Sequence, residues 1–327
     1  MVIPRFRLGG AAAVLVISLL LLLPAAASAT KGVDLRVVNT AGKTLTEQRQ
    51  YTGTVRIRTD PRASCFGQGT GGSGDRVRVR GATALGAVRH ALARDRDLRP
   101  LWVTDAYLDD GFGLGVCGIG GFESEGSSYW YVKSNHVGSQ ISGSQLEVRQ
   151  GTDVLWYLTP SFPPPPELRL KAPARAQPDV PYQVTVYSYA DDGTRSAAAG
   201  AAVTGAAQPT GPGGHTMVTS TQTGTDWLRA TRGQDIPSNR VRVCVVPDPS
   251  RCPRAHGKRI IGSGRGDKIR GTRGWDAIKA GRGGDRVNLR RGGRDRVSCG
   301  GGHDQVIVNR GDRNDRIADG CERIVRR

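Results

Sequence analysis

Gly262-Ser263-Gly264-Arg265-Gly266-Asp267-Lys268-Ile269-Arg270 runs directly into Gly271-Thr272-Arg273-Gly274-Trp275-Asp276-Ala277-Ile278-Lys279, and that into Ala280-Gly281-Arg282-Gly283-Gly284-Asp285-Arg286-Val287-Asn288. Each of these nine-residue words has an aspartate in sixth place and an aliphatic two residues later. The pattern continues almost to the C-terminus. Asp267, Asp276, Asp285, Asp295, Asp304 and Asp315 are separated by 9, 9, 10, 9 and 11 residues, and Ile269, Ile278, Val287, Val297, Val306 and Ile317 follow them. Gly274, Gly283, Gly293 and Gly302 stand two residues before four of the aspartates. A short period with one inward aliphatic per repeat predicts a stacked β repeat architecture.

These words resemble the calcium-binding nonapeptide repeats of RTX proteins, over about residues 258–324. The resemblance implies a parallel β-roll or solenoid in which alternate repeats stack, with Asp267, Asp285 and Asp304 along one edge and Asp276, Asp295 and Asp315 along the other. It also implies calcium held by the six aspartates, because carboxylate oxygens are the hard ligands calcium takes. The turn glycines Gly274, Gly283, Gly293 and Gly302 would let the backbone approach the ion. The repeats are degenerate. The first glycine of the motif stands only at Gly262 and Gly271, the second only at Gly281, Gly300 and Gly311, and Arg265 and Arg313 replace the fourth-place glycine. The 10- and 11-residue intervals imply bulges or broken stacking. A calcium-free solenoid, its aspartates paired with Arg286, Arg296 and Arg316, is the alternative.

Upstream, Pro247-Asp248-Pro249 marks a boundary that places the repeat region at 254–327. A second boundary is the Pro-rich linker 161–166, expected to be a stiff extended spacer. Between them, 167–246 shows short alternating strands such as Tyr182–Tyr189 and Val241–Cys244, predicting a β-sandwich; it looks like a bacterial immunoglobulin-like domain. Residues 30–160 alternate at Asp34–Val37, Thr54–Ile57 and Arg76–Val79, and carry one credible helix from the cap Thr83 to about Arg96. Several strands around one helix predict a β-grasp-like α+β domain. The fold class as a whole is mainly β.

Within this first domain, Tyr129-Trp130-Tyr131-Val132-Lys133-Ser134-Asn135 and the later Gly151-Thr152-Asp153-Val154-Leu155-Trp156-Tyr157 resemble a family of secreted bacterial domains similar to the C-terminal β domain of transcobalamin. The transcobalamin helical barrel that supplies most of the cobalamin cradle has no counterpart here, so cobalamin does not carry over. A small-molecule ligand of unknown identity, if bound by this domain, is expected at Trp130, Tyr131 and Asn135, which combine aromatic surface with an amide.

Residues 1–29 read as a signal peptide: Arg5 and Arg7, an apolar run from Ala11 to Leu23, Pro24, and Ala27-Ser28-Ala29 as a small-x-small cleavage site. Thirteen apolar residues are too short for a membrane anchor. An exported chain gives the six cysteines a role as disulfides, expected between neighbours as Cys65–Cys117, Cys244–Cys252 and Cys299–Cys321. The charge is +18, and 20 basic against 9 acidic residues lie in 254–327 alone. Such a balance suits an extracellular polyanion or cell-wall polymer. Nucleic-acid readout is not expected, because no aromatic platform interleaves the arginines. No catalytic constellation can be placed. The expectation is a secreted, modular, non-enzymatic binding or adhesion protein at the cell surface. The rivals are a secreted enzyme with a site between the first two domains, and a purely structural envelope protein.

Overall fold

The computed structural model describes residues 30–327; the signal peptide expected at 1–29 lies outside them. Lys31–Val38 and Thr44–Thr52 form an antiparallel pair. Lys31–Val38 also runs parallel to Asp153–Thr159, which pairs antiparallel with Tyr129–Ser134. A first and a last strand side by side at the centre, with one helix packed on them, is the β-grasp arrangement. The helix is Ala84–Ala91, capped by the Thr83 hydroxyl, which accepts from the Gly86 amide at 3.0 Å. Leu85, Val88 and Ala91 enter a core with Val33, Leu35, Val37 and Trp156. The helix ends short of Arg96, because Asp95 caps a separate 3-10 turn at Arg96–Leu98.

The outer edge of this sheet is not free. Thr44–Thr52 pairs in parallel with Arg259–Ile261, Arg49 opposite Ile260 and Gln50 opposite Ile261. The sheet then continues through Ala277–Arg282, Arg296–Gly301 and Arg316–Ile317, making nine strands across the first domain and the repeats. The other face of the roll is the parallel sheet of Lys268–Arg270, Arg286–Asn288, Gln305–Val308 and Arg323–Arg326. Between the two faces lie Ile260, Ile269, Ile278, Val287, Val297 and Val306, all buried. Tyr51 of the first domain belongs to this same cluster and plugs the N-terminal end of the roll, its hydroxyl 3.3 Å from the Lys268 carbonyl. The two longer intervals do not break the stacking. Turns at Leu289–Gly292 and Asn309–Asp312 absorb the additional residues.

The middle of the chain forms three small sheets, of four, three and two strands, around a core of Leu168, Leu170, Val184, Val186, Leu228 and Val243. The segment 161–166 does not hold this sandwich away from the first domain. It delivers Glu167, which is 0% exposed, onto Arg36 of the first domain. Ile236 packs with Val38, Leu155 and Tyr157, and the His136 ring stacks on Tyr189 at 3.8 Å. A spacer is extended only where nothing favours contact, and here a buried ion pair and an apolar cluster do. Disulfides join Cys65 to Cys117, Cys244 to Cys252 and Cys299 to Cys321.

Candidate functional site

The repeat aspartates form two ladders. The amide of Asp267 donates to Asp285 Oδ1 at 2.8 Å, and the amide of Asp285 to Asp304 Oδ1 at 2.7 Å. On the other edge the amide of Asp276 donates to Asp295 Oδ1 at 2.9 Å, and that of Asp295 to Asp315 Oδ1 at 2.9 Å. Each carboxylate thereby ties its coil to the one before. Glu322 completes the first ladder, accepting from the Asp304 amide at 2.8 Å. The sequence carried that signal, since Glu322 lies 18 residues beyond Asp304 with Ile324 two residues on. The glycines are packed as the close stacking requires: a Cβ on Gly274, Gly283, Gly293 or Gly302 would overlap backbone of the preceding coil.

The second oxygen of each carboxylate depends on the residue four places earlier. In the first two repeats that residue is a hydroxyl. Ser263 donates amide and hydroxyl to Asp267 Oδ2 at 2.6 and 3.1 Å, and the Thr272 hydroxyl donates to Asp276 Oδ1 at 2.8 Å while its amide meets Oδ2. In the later repeats it is Gly281, Arg291, Gly300 or Gly311, and the Oδ2 atoms of Asp285, Asp295, Asp304 and Asp315 are buried without a partner. Burial, opposed by the amide hydrogen bonds and reinforced by neighbouring ladder carboxylates, pushes Asp285 and Asp295 up to about 7. Burial also raises Asp267, Asp276 and Asp315 above the usual range. Arg286, Arg296 and Arg316 make no ion pair with these aspartates. They point outward, while the carboxylates of Asp285 and Asp295 are inside the coil. The ladders contain only hard oxygen donors, which suits calcium, but no three acidic, His or Cys side chains converge among the described residues. An ion there would draw on the four unpartnered Oδ2 atoms.

A cavity of about 810 Å³ lies where the three parts of the chain meet. One wall is the face of the first sheet that presents Asp34, Arg36, Glu47 and Arg49; another is the sandwich face with Trp227, Arg229, Arg240 and Arg242; His256–Arg259 close the third. Most of its carboxylates are neutralised in place. Arg49 and Lys258 bind Asp34 at 2.9 and 2.6 Å, and, although burial pushes the carboxyl up, the two cations hold it below its ordinary range. Arg229 reaches Glu47 at 3.2 Å and Arg169 reaches Asp153 at 2.7 Å. Behind them, burial would raise Glu167, but Arg36 and His136 outweigh it and keep the carboxyl low.

Trp130, Tyr131 and Asn135 do not converge on a cavity. Trp130 is 7% exposed with its indole N–H donated to the Phe122 carbonyl at 3.0 Å, and the Tyr131 hydroxyl donates to Asp191 of the sandwich at 2.9 Å. Asn135 has φ +50° at the end of its strand, and its Oδ1 accepts from the Asp153 amide at 3.0 Å. Their polar atoms serve the fold and the domain contact. The cavity residues Trp227, Arg229, Arg240 and Arg242 are absent from the sequence reading, because strand alternation was visible there but the partner facing that strand was not. No protein-family model matches the chain and no curated protein matches it. The family resemblances therefore rest on the residues quoted above.

Proposed function

We propose that this is a secreted, non-enzymatic binding protein whose β-roll presents a basic surface to an extracellular polyanion such as a cell-wall polymer. The supporting observation is the register of the roll. Parallel in-register coils align equivalent outward side chains into rows spaced by the strand separation of ~4.8 Å. One face carries the row Arg259, Ala277, Arg296, Arg316, and the other Lys268, Arg286, Gln305, Arg323. All six cations are exposed, and none is in an ion pair among the described residues. A row of unneutralised cations at fixed spacing suits a chain of repeating anions. Three disulfides fit an oxidising compartment. Calcium belongs to this reading as a stabiliser of the roll, taken up at the unpartnered oxygens of Asp285, Asp295, Asp304 and Asp315.

The enzyme reading has a cavity between the first two domains in its favour. Against it, Asp34, Glu47 and Asp153 are engaged with arginine or lysine rather than poised beside a nucleophile. The test is retention of the full chain on polygalacturonate beads under increasing salt. Arg286→Glu/Arg296→Glu/Arg316→Glu should elute at much lower salt than the parent. Unchanged retention would remove the basic rows from the account, and release of new reducing ends in proportion to protein would favour the enzyme.

A further inference from the structure

The sandwich wall of the interdomain cavity carries an exposed aromatic and a cluster of arginines. Gly224–Leu228 pairs antiparallel with Val241–Val245, and Trp227 sits directly opposite Arg242. Strand alternation puts Leu228, Val241 and Val243 into the sandwich core, and Trp227, Arg229, Arg240 and Arg242 on the opposite face, where all four line the cavity. The Arg240 guanidinium lies 4.3 Å from the Trp227 ring centroid, and Arg242 lies 5.4 Å from Trp275. Neither guanidinium is in an ion pair among the described residues. Arg229 binds Glu47 through one nitrogen, while its Nε is buried with no partner. Trp227 is 49% exposed, an unusual placement for a large aromatic in the throat of a polar cleft.

The remaining charges do not cancel this. Asp34, Glu47 and Asp153 already have cationic partners, and Asp95 turns inward to cap the 3-10 turn. Asp97 is the one cavity carboxylate for which the structure shows no side-chain partner among the described residues, and Arg259 stands exposed at the mouth. Arg242 is partly withdrawn from water with no carboxylate partner among the described residues, Arg240 stands exposed beside Trp227, and an incoming anion would give both guanidinium groups a charge-assisted partner. A flat aromatic beside them offers a stacking face for a sugar ring.

We propose that this cleft binds an anionic saccharide. Trp227 stacks on the ring, and Arg229, Arg240 and Arg242 hold its carboxylate or phosphate group. The proposal rests on the polyanion reading and extends it: Arg259 both lines the cleft and heads the basic row that runs along the roll, so a polymer seated in the cleft continues onto that row.

The experiment is calorimetry on the full chain in chelator with three probes: trigalacturonate, the neutral trisaccharide maltotriose, and inorganic phosphate. Trigalacturonate should bind, and maltotriose at least tenfold more weakly. Trp227→Ala and Arg240→Gln should each weaken trigalacturonate about tenfold, with circular dichroism confirming the fold. Asp97→Asn, an exposed change that removes a carboxylate from the cavity, should tighten it two- to threefold. The roll variant Arg286→Glu/Arg296→Glu/Arg316→Glu should bind trigalacturonate like the parent even though it loses the polymer. Loss of polymer retention with trisaccharide binding intact supports the cleft. Retained polymer with no trisaccharide binding overturns the cleft and leaves the roll reading standing. Equal binding of maltotriose overturns the anionic specificity. Phosphate binding as tight as trigalacturonate, unaffected by Trp227→Ala, overturns the saccharide.

Discussion

The sandwich and the roll are fastened to the first domain in different ways. The sandwich is held mainly by side chains: the buried Arg36–Glu167 pair, the Tyr131–Asp191 and Lys133–Asp191 contacts, and the stacked His136 and Tyr189 rings, with a single β-bridge at Val137–Asp192 and the Gly138 amide on the Asp191 carbonyl at 2.8 Å beside them. The roll is held by backbone, since it prolongs the sheet from Thr44–Thr52 and accepts Tyr51 as its end plug. Buried charge follows the same division. At the sandwich junction each buried charge meets its opposite. Inside the roll carboxylate stacks over carboxylate, joined only through amides, and four oxygens remain without a partner. A junction of paired charges is indifferent to cations over a wide pH range, whereas a ladder of like charges depends on whatever neutralises it.

The largest effect should come from uncapping the roll. Tyr51 is 1% exposed and covers the Ile260–Ile269–Ile278 end of the core. Tyr51→Ala leaves a cavity there and opens the solenoid end to water, at a cost of ~3–5 kcal/mol. Amide hydrogen exchange should show the loss concentrated in residues 258–327, with the sandwich protected as before. A loss spread evenly over the chain would mean that the roll and the first domain are not joined through this residue. Close behind is Glu167→Ala, which leaves Arg36 buried and unpaired and should cost ~3–5 kcal/mol. Its exchange should rise in the sandwich and leave the roll unaffected. Should both variants loosen the same residues, the contrast between the two attachments collapses.

The repeat was legible because its signal is one-dimensional: an aspartate and an aliphatic at a fixed spacing specify a stacked coil whatever surrounds it. The inward placement of Ile269, Ile278, Val287, Val297 and Val306 follows from that spacing, and the two aspartate edges from the resemblance to the β-roll repeats. The strand Thr44–Thr52 was not legible. Thr46, Gln48, Gln50 and Thr52 are buried although polar, because the strand lies inside a sheet that continues into the roll, with the Gln50 amide 2.8 Å from the Tyr51 carbonyl. Hydrophobic alternation reports one apolar and one wet face, whereas here one face is polar yet buried and the other turns Glu47 and Arg49 into the cavity. The cavity was hidden for a related reason. Trp227 and Arg242 read as ordinary surface positions of a sandwich until the first domain is placed opposite them. Asn135 carries a structural duty that its neighbours in sequence did not show: its φ is positive and its Oδ1 accepts from the Asp153 amide. Asn135→Ala should therefore lower stability by roughly 1 kcal/mol through the lost hydrogen bond and backbone strain, read as a lower melting temperature.

The ladders sharpen the comparison through pH. Asp285 and Asp295 hold their protons up to about 7 in the folded chain, whereas an unfolded aspartate releases its proton near 3.8. Between those values the folded state binds more protons, so the ladders make stability fall as pH rises from about 4 to about 7 and stay level above. His90 acts the other way. Burial, with Arg89 and Arg265 near it, lowers its pKa to about 4, so its contribution grows as pH rises towards 6.5. The difference between parent and Asp285→Asn/Asp295→Asn cancels His90 and isolates the ladders. In chelator the parent should lose melting temperature relative to that variant between pH 5 and pH 8. At pH 8, millimolar calcium should restore the parent, with little effect at pH 5, where protons already occupy the ladders. A parent that gains on the variant with rising pH would reject the ladder assignment, and no response to calcium at pH 8 would leave protons as the only neutralising species.

The smallest effect tests why the first two repeats differ from the rest. Ser263 and Thr272 stand where the calcium-binding motif has glycine, and their amide and hydroxyl donors occupy the carboxylate oxygens of Asp267 and Asp276. By that logic a hydroxyl substitutes for the ion. Thr272→Gly removes from Asp276 Oδ1 a hydrogen bond worth about 1 kcal/mol, while the Lys258 amide stays on Oδ1 at 2.7 Å and the amide of residue 272 on Oδ2. In chelator the variant should melt slightly below the parent, and in calcium the gap should close, because the space vacated by the hydroxyl lets a cation approach Oδ1. A gap that persists unchanged in calcium would show that the hydroxyl is a packing residue of the first coil. A gap that closes would identify the repeats that retain glycine four residues before the aspartate as the calcium-responsive part of the roll.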